Sequence, residues 1–249
     1  MEWFRGYRGA ISLTFDDGLR SQLEIAVPLL DKYGFNATFY ICPRGDDWKS
    51  KFRPWSEVAS TGHEIGNHTL THPCSCNLVK DSTSHCLDNM SLEEIEKDIL
   101  MAQARIEEIA PRKKYTFAYP CYETEVGKGS RKMSYVPIVA KYFIAARVGC
   151  ERSTCTNSPR NCDLYKLASY KGERASRDLL IGWAMRAILE EGWVIFTFHG
   201  INEGHLPISK YDLNSFLEFL SSYSDKLWIS TVCEIAEYIT RLRKDMGLM

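Results

Sequence analysis

The sequence predicts an α/β protein, a distorted (β/α) barrel of seven or eight strands folded as a single domain over residues 1–249. Three observations point there. Short apolar runs alternate with helical patterns along most of the chain, the order of a parallel sheet covered by helices. About eight such units occur, which favours a barrel over an open doubly wound sheet. A chain of 249 residues with 45% hydrophobic content is long enough for one large core. A barrel carries a corollary: chemistry belongs at the C-terminal ends of its strands.

The elements follow in order. "AISLTF" (10–15) is a strand running into Asp16-Asp17-Gly18. "RSQLEIAVPLLDKYG" (20–34) sets Leu23, Ile25, Ala26, Leu29 and Leu30 near one helical face before Gly34 stops it. "NATFYIC" (36–42) is the next strand, "PWSEVASTG" a short helix and "HEIGNH" a third strand end. The helix over 91–110 is the clearest, with Ser91 and Glu94 forming a capping box and Pro111 beyond its end. "KYTFAYP" is a strand, "YVPIVAKY" a helix and "FIAARVG" a strand. After a cysteine-rich loop come "LYKLASY", a helix over 176–190 and the strand "WVIFTFHG" (193–200). A helix near 212–224, the short strand "LWIS" and a helix over 231–244 close the chain. No internal repeat or low-complexity tract interrupts this order.

A net charge of −1 gives no electrostatic ground for nucleic acid or an anionic membrane as partner. No stretch approaches the roughly 18 consecutive apolar residues of a membrane span. "MEWFRGYRGAISL" lacks the apolar run and cleavage site of a signal peptide, so the chain reads as intracellular or as one whose signal has been removed. Nine cysteines are present. Cys74, Cys76 and Cys86 crowd one loop-like segment, and Cys150, Cys155 and Cys162 another. Three readings stand: loop disulfides in an oxidising compartment, a structural zinc site from Cys74, Cys76, His85 and Cys86, or reduced cysteines filling space.

The strand ends carry Asp16-Asp17, then His63 and His68, then Tyr119-Pro120, then Arg147, then His199. "HTLTH" sets His68 and His72 four apart, so one helical turn puts both imidazoles on one side, with Pro73 limiting it to a turn. Asp17 completes two nitrogens and one oxygen and leaves a fourth position open, the arrangement of a catalytic metal. At the end of "WVIFTF", His199 taken alone reads as a core histidine.

"TFDDG", "HEIGNHTLTHP", "FAYP" and "FTFHGI", in this order and spacing, resemble the motifs of the polysaccharide deacetylases, carbohydrate esterase family four, with the tail "PISKYDLNSFLEFL" fitting too. The resemblance runs from residue 10 to about 240. It implies that Asp16 is the general base, that Asp17, His68 and His72 hold one divalent transition metal, and that His199 is the general acid. Zinc is the first choice for two imidazoles and a carboxylate, with cobalt, nickel or iron fitting the same ligands. It further implies that the backbone N–H of Cys121 meets the oxyanion, and that acetylated oligosaccharide or polysaccharide is the substrate, attacked by a water that the metal acidifies.

Departures sharpen the expectations. The family's third motif commonly reads Arg-x-Pro-Tyr-Gly, whereas this chain has Ala118-Tyr119-Pro120-Cys121-Tyr122, and the Asp-containing fourth motif is not recognisable. The arginine that usually orients the base is absent. Arg147 ends the next strand and is the candidate replacement, the alternative being a surface arginine. A passive buried thiol is expected at Cys121. Tyr119, Pro120 and Tyr122 are candidate substrate contacts, and Trp48, Trp55 and Trp183 further stacking surfaces, each with aromatic core as its alternative. His63 is expected to brace a loop, Asn67 to support the neighbouring ligand, and His205 to lie in a solvated loop. The expected activity is a carbohydrate deacetylase. Its rivals are hydrolysis of another amide or imide on the same scaffold and a non-catalytic carbohydrate-binding relative.

Overall fold

The computed structural model describes residue 3 and residues 6–78, 86–150 and 155–248. Ten strands are described: β1 Gly9–Asp16, β2 Thr38–Ile41, β3 Glu64–Asn67, β4 Thr116–Ala118, β5 Glu125–Val126, β6 Met133–Ser134, β7 Ala145–Arg147, β8 Tyr170–Lys171, β9 Trp193–Phe198 and β10 Leu227–Ile229. The helices are α1 Val27–Tyr33, α2 Trp48–Phe52, α3 Pro54–Ser60, α4 Leu92–Ile109, α5 Val136–Tyr142, α6 Arg177–Leu189, α7 Lys210–Ser221 and α8 Val232–Asp245. Strands β5 and β6 form a small antiparallel hairpin. The other eight make one parallel sheet in the order β7-β4-β3-β2-β1-β9-β8, with β10 beside the start of β1. A parallel bridge between Arg147 and Leu167 ties the two ends of that order together, so the curled sheet is the expected distorted barrel. The distortion lies between β7 and β8. There the chain crosses with no covering helix among the described residues, and the Leu164–Lys171 stretch pairs first with β7 and then with β9.

Period-two patterning sorts the strand residues. Ile11, Leu13 and Phe15 join the apolar core with Leu30 and Phe39, while Ser12, Thr14 and Asp16 are buried and polar on the opposite face of β1. The polar set continues around the barrel. Glu64 accepts from Thr38 Oγ1 at 2.8 Å, Thr116 Oγ1 at 2.6 Å and the Cys233 N–H at 2.9 Å, which caps the start of α8. Tyr40 OH meets Thr116 Oγ1 at 2.9 Å. Gly66 makes this packing feasible, because a Cβ there would fall 2.5 Å from the Tyr40 ring. A buried polar lining of this kind is tolerated because its members satisfy one another.

The helices largely follow their sequence signals. Ser91 and Glu94 form the full capping box of α4, and Gly34 ends α1 at φ 69°. The first helix departs from the simple pattern. Gln22–Ala26 is a π-helical turn that runs into α1. The α7 helix starts at Lys210, ahead of the expected 212, because Ser209 caps it by accepting from the Asp212 N–H. Both α2 and the β5–β6 hairpin go beyond the expected elements. No helix among the described residues is long and apolar enough to cross a membrane.

Candidate active site

The C-terminal rim of the barrel gathers the expected residues. Asp16 ends β1, His68 follows β3, Ala118 ends β4, Arg147 ends β7 and His199 follows β9. Asp16 is buried, and Arg147 Nη2 donates to both of its carboxylate oxygens at 2.6 Å. The Arg147 Nη1 donates to Thr197 Oγ1 at 2.8 Å, and Tyr40 and Tyr122 lie 5.2 and 5.8 Å from the guanidinium. Register explains how this arginine arrives. Ala118 of β4 and Arg147 of β7 are paired Cα partners, so the charge missing from one strand end comes from its neighbour. Arg147 is fully buried, which sets aside the surface-arginine alternative. Burial pushes the Asp16 carboxyl up, but Arg147, with His68 and His199, outweighs it and holds Asp16 below the usual carboxylate range.

Asp17, His68 and His72 offer ligand atoms that lie within 4.8 Å of one another. Asp17 Oδ1 is 3.8 Å from His68 Nε2 and 3.5 Å from His72 Nε2. Donors about 2.1 Å from a tetrahedral metal would stand roughly 3.4 Å apart, so modest adjustment suffices. The His68 Nδ1–H donates to the Ala118 carbonyl at 2.8 Å, leaving Nε2 bare toward Asp17. Burial pulls the His68 pKa down to about 4, with His72 adding to it against Asp16 and Asp17, so the ring stays neutral and fit to ligate. The donor set fits a metal of the zinc type.

The loop between the histidines is not the expected helical turn. Thr69 and His72 adopt left-handed φ values of 64° and 55°, which a helical turn excludes. Side chains hold this shape instead. Asn67 Oδ1 accepts from the Thr69 N–H at 2.8 Å, and Thr69 Oγ1 accepts from the His72 N–H at 3.0 Å. Asp98 of α4 accepts from the Leu70 N–H at 2.7 Å and from Thr71 Oγ1 at 2.7 Å. Asn67 therefore braces the loop backbone and reaches α4 through the Ile99 carbonyl and Gln103. We expect Asp98→Ala to lower stability by about 1–3 kcal/mol and to weaken metal affinity, measured by denaturation and by metal titration.

The third-motif segment departs further from expectation. Cys121 is no passive thiol: it forms a disulfide with Cys74, two residues beyond His72. Cys121 and Tyr122 have left-handed φ values of 49° and 62°. The Cys121 N–H has no backbone acceptor among the described residues. Tyr119 and Pro120 are corrected from substrate contacts to core. Tyr119 is 0% exposed, packed by Phe117 and Tyr135, and Pro120 is buried beside it. Tyr122 alone of the three is part-buried and lines a cavity.

Cys76–Cys86 and Cys150–Cys155 are also disulfides, so the loop-disulfide reading holds and Cys74, Cys76 and Cys86 are not zinc ligands. His85, the fourth member of that reading, lies outside the described residues. Cys42, Cys162 and Cys233 are free.

His199 lies with Asp17 and His72 in a cleft of about 420 Å³, whose wall His205 extends. His199 Nδ1 has no hydrogen-bond partner among the described residues. A larger cavity of about 950 Å³ opens from Tyr122 and Lys171 but is lined by none of Asp17, His68 and His72. His63 stands at the start of β3, not at its C-terminal end. It accepts from the Ala37 N–H and meets Asp31, the bracing role expected of it. Trp55 is core, Trp48 is buried under Arg105, and Trp183 stacks on Tyr170.

Gln22 was not anticipated. From the π-helical turn its Nε2 donates to the Asp16 and His199 carbonyls at 2.5 and 3.1 Å, joining the two strand ends that carry the proposed base and acid. Only the helix irregularity hints at it, and π-turns often accompany functional sites.

A family model described as Polysaccharide deacetylase matches residues 6–136, just over half of the chain. The chain is 25% identical over 259 residues to a gellan lyase of Bacillus sp, covering 95% of this chain and 10% of that protein. It is 36% identical over 69 residues to a peptidoglycan-N-acetylglucosamine deacetylase of Bacillus cereus, covering 26% of this chain and 24% of that one. The chain thus spans at most about a quarter of these relatives' length. Among solved structures, a Mycobacterium smegmatis protein described as a polysaccharide deacetylase superposes with a TM-score of 0.70 at 13% identity, covering 98% and 94% of the two chains. A Bacillus anthracis protein called a CE4 family pseudoenzyme gives 0.56 at 16% identity, covering 92% and 65%. At these identities the structures attest the shared fold alone.

Proposed function

Because the chain belongs to the polysaccharide deacetylase family, we propose that it is a metal-dependent hydrolase that removes acetyl groups from N-acetylated, or O-acetylated, carbohydrate. The observation that carries this reading is the pairing of a buried Asp16, clamped by Arg147, with the Asp17, His68 and His72 donors beside it. Base, three ligands and acid are all intact, which favours turnover over a purely carbohydrate-binding role.

Asp17, His68 and His72 hold the ion, with zinc preferred and cobalt, nickel or iron compatible. Bound there, it supplies a Lewis acid that polarises the acetyl carbonyl and lowers the pKa of the attacking water. Asp16 accepts the proton of that water, and its depressed pKa keeps it ionised for the task. Arg147 fixes the carboxylate as a positioning residue. The Cys121 N–H donates to the oxygen of the acetyl group as negative charge develops on it. His199 protonates the departing nitrogen, so acetate and a free amine leave. The three disulfides suit an oxidising compartment.

Elemental analysis tests the ligand set directly. Wild-type protein should carry about one transition-metal ion per chain, and His72→Ala should lose it. Full metal content in the variant would remove His72 from the site.

A further inference from the structure

The Cys74–Cys121 disulfide lies at the edge of the His72 ring that faces away from Asp17. Cys74 Sγ is 3.7 Å from His72 Nδ1, whereas Asp17 Oδ1 is 3.5 Å from His72 Nε2. A disulfide sulfur has no proton to give, so His72 Nδ1–H is the donor in that contact and Nε2 is left bare for a metal. The bridge also links two loops of left-handed backbone, at His72 and Cys121, and such backbone persists only where its surroundings hold it.

His72 Nδ1, Cys74 Sγ and Cys121 Sγ lie within 4.8 Å of one another. Bonded to each other, the sulfurs are poor ligands. Parted, they become two thiols beside an imidazole, a set that zinc or cobalt takes readily. We propose that the Cys74–Cys121 disulfide decides which edge of His72 meets the metal. Oxidised, it keeps Nε2 in the Asp17 and His68 centre. Reduced, it supplies a rival site of His72 Nδ1 and two sulfurs that draws the ion away. This rests on the reading of Asp17, His68 and His72 as the metal centre.

A water-soluble trialkylphosphine effects the change cleanly. Phosphorus attacks one sulfur, the S–S bond breaks, and the other sulfur leaves and takes a proton. Water then converts the phosphonium to phosphine oxide and frees the second thiol, so two electrons pass from phosphorus to sulfur.

The test uses the full chain loaded with cobalt(II), before and after phosphine treatment and its removal, with peptide mapping to show that Cys74 and Cys121 are reduced. The oxidised protein should lack a sulfur-to-cobalt charge-transfer band. Reduction should bring the band in and lower acetate release by about 10–100-fold. Cys74→Ser/Cys121→Ser should show no band in either state, and His72→Ala should weaken it. Cys76→Ser/Cys86→Ser should respond like wild type. Mapped reduction without a band overturns the proposal, as does a band that persists in Cys74→Ser/Cys121→Ser. The band separates this proposal from the deacetylase reading: a redox-dependent band in a protein that releases no acetate supports the rival site and sinks the activity.

Discussion

Asp16→Asn should keep its metal and lose about 10²–10⁴-fold in acetate release, the usual contribution of a positioned general base. The amide preserves shape and fills the same buried place at the end of β1, but it cannot take the proton of the attacking water. Metal content by elemental analysis and turnover on one substrate separate the two effects. Unchanged turnover with full metal would take the base role from Asp16. A joint loss of metal and turnover would instead make Asp16 part of the ion's own support.

Arg147→Met should cost about 3–5 kcal/mol of stability, because it leaves a buried carboxylate without its partner. The sign of its pH effect follows from the cause of the shift. In the wild type Arg147 holds the Asp16 pKa below its unfolded value of about 3.9, so the stabilisation is present above that pH and is lost as pH falls through the folded pKa. Without Arg147, burial dominates and the pKa rises. The pair's contribution then reverses, and the variant regains stability as acid protonates Asp16. The acidic limb of the activity profile should move to higher pH for the same reason. Arg147→Lys keeps the charge but cannot hold Asp16 and Thr197 together as Nη2 and Nη1 do, and should fall between. Urea unfolding across pH and the acetate-release profile together check both parts. A variant with wild-type stability and an unmoved acidic limb would deny Arg147 any hold on Asp16.

The barrel was legible because its strands are buried on both faces and read as apolar runs with helical patterns between them. The strand-end corollary then places Asp16, His68, Arg147 and His199 on one rim from the sequence alone. Other features depend on register or on side chain to backbone bonds that leave no periodic mark. Arg147 is the candidate replacement from its place at the next strand end, but its reach to Asp16 is explained only by the pairing of Ala118 with Arg147 across β4 and β7. Asp98 sits in a helix whose pattern looks ordinary, yet it holds the loop that shapes the His68–His72 pair. The spacing of "HTLTH" suggested a helical turn, and side-chain acceptors at Asn67 and Thr69 in the loop and at Asp98 on α4 overrode it. Cysteine spacing does not fix connectivity. Cys74 pairs across 47 residues with Cys121, past its near neighbour Cys76, because the third-motif segment meets the loop after His72, where the Ser75 N–H also donates to Glu123.

The central claim is that Asp17, His68 and His72 hold a metal that serves deacetylation at Asp16 and His199. Acetate release from N-acetylglucosamine oligomers, peptidoglycan and acetylated xylan, measured before chelation, after it and after zinc is restored, tests this most directly. The account predicts acetate from at least one of these substrates, matched by new amines where the acetyl group was on nitrogen, abolished by the chelator and recovered with zinc. No acetate from any of them by zinc-loaded protein, or undiminished release by metal-free protein, would contradict it.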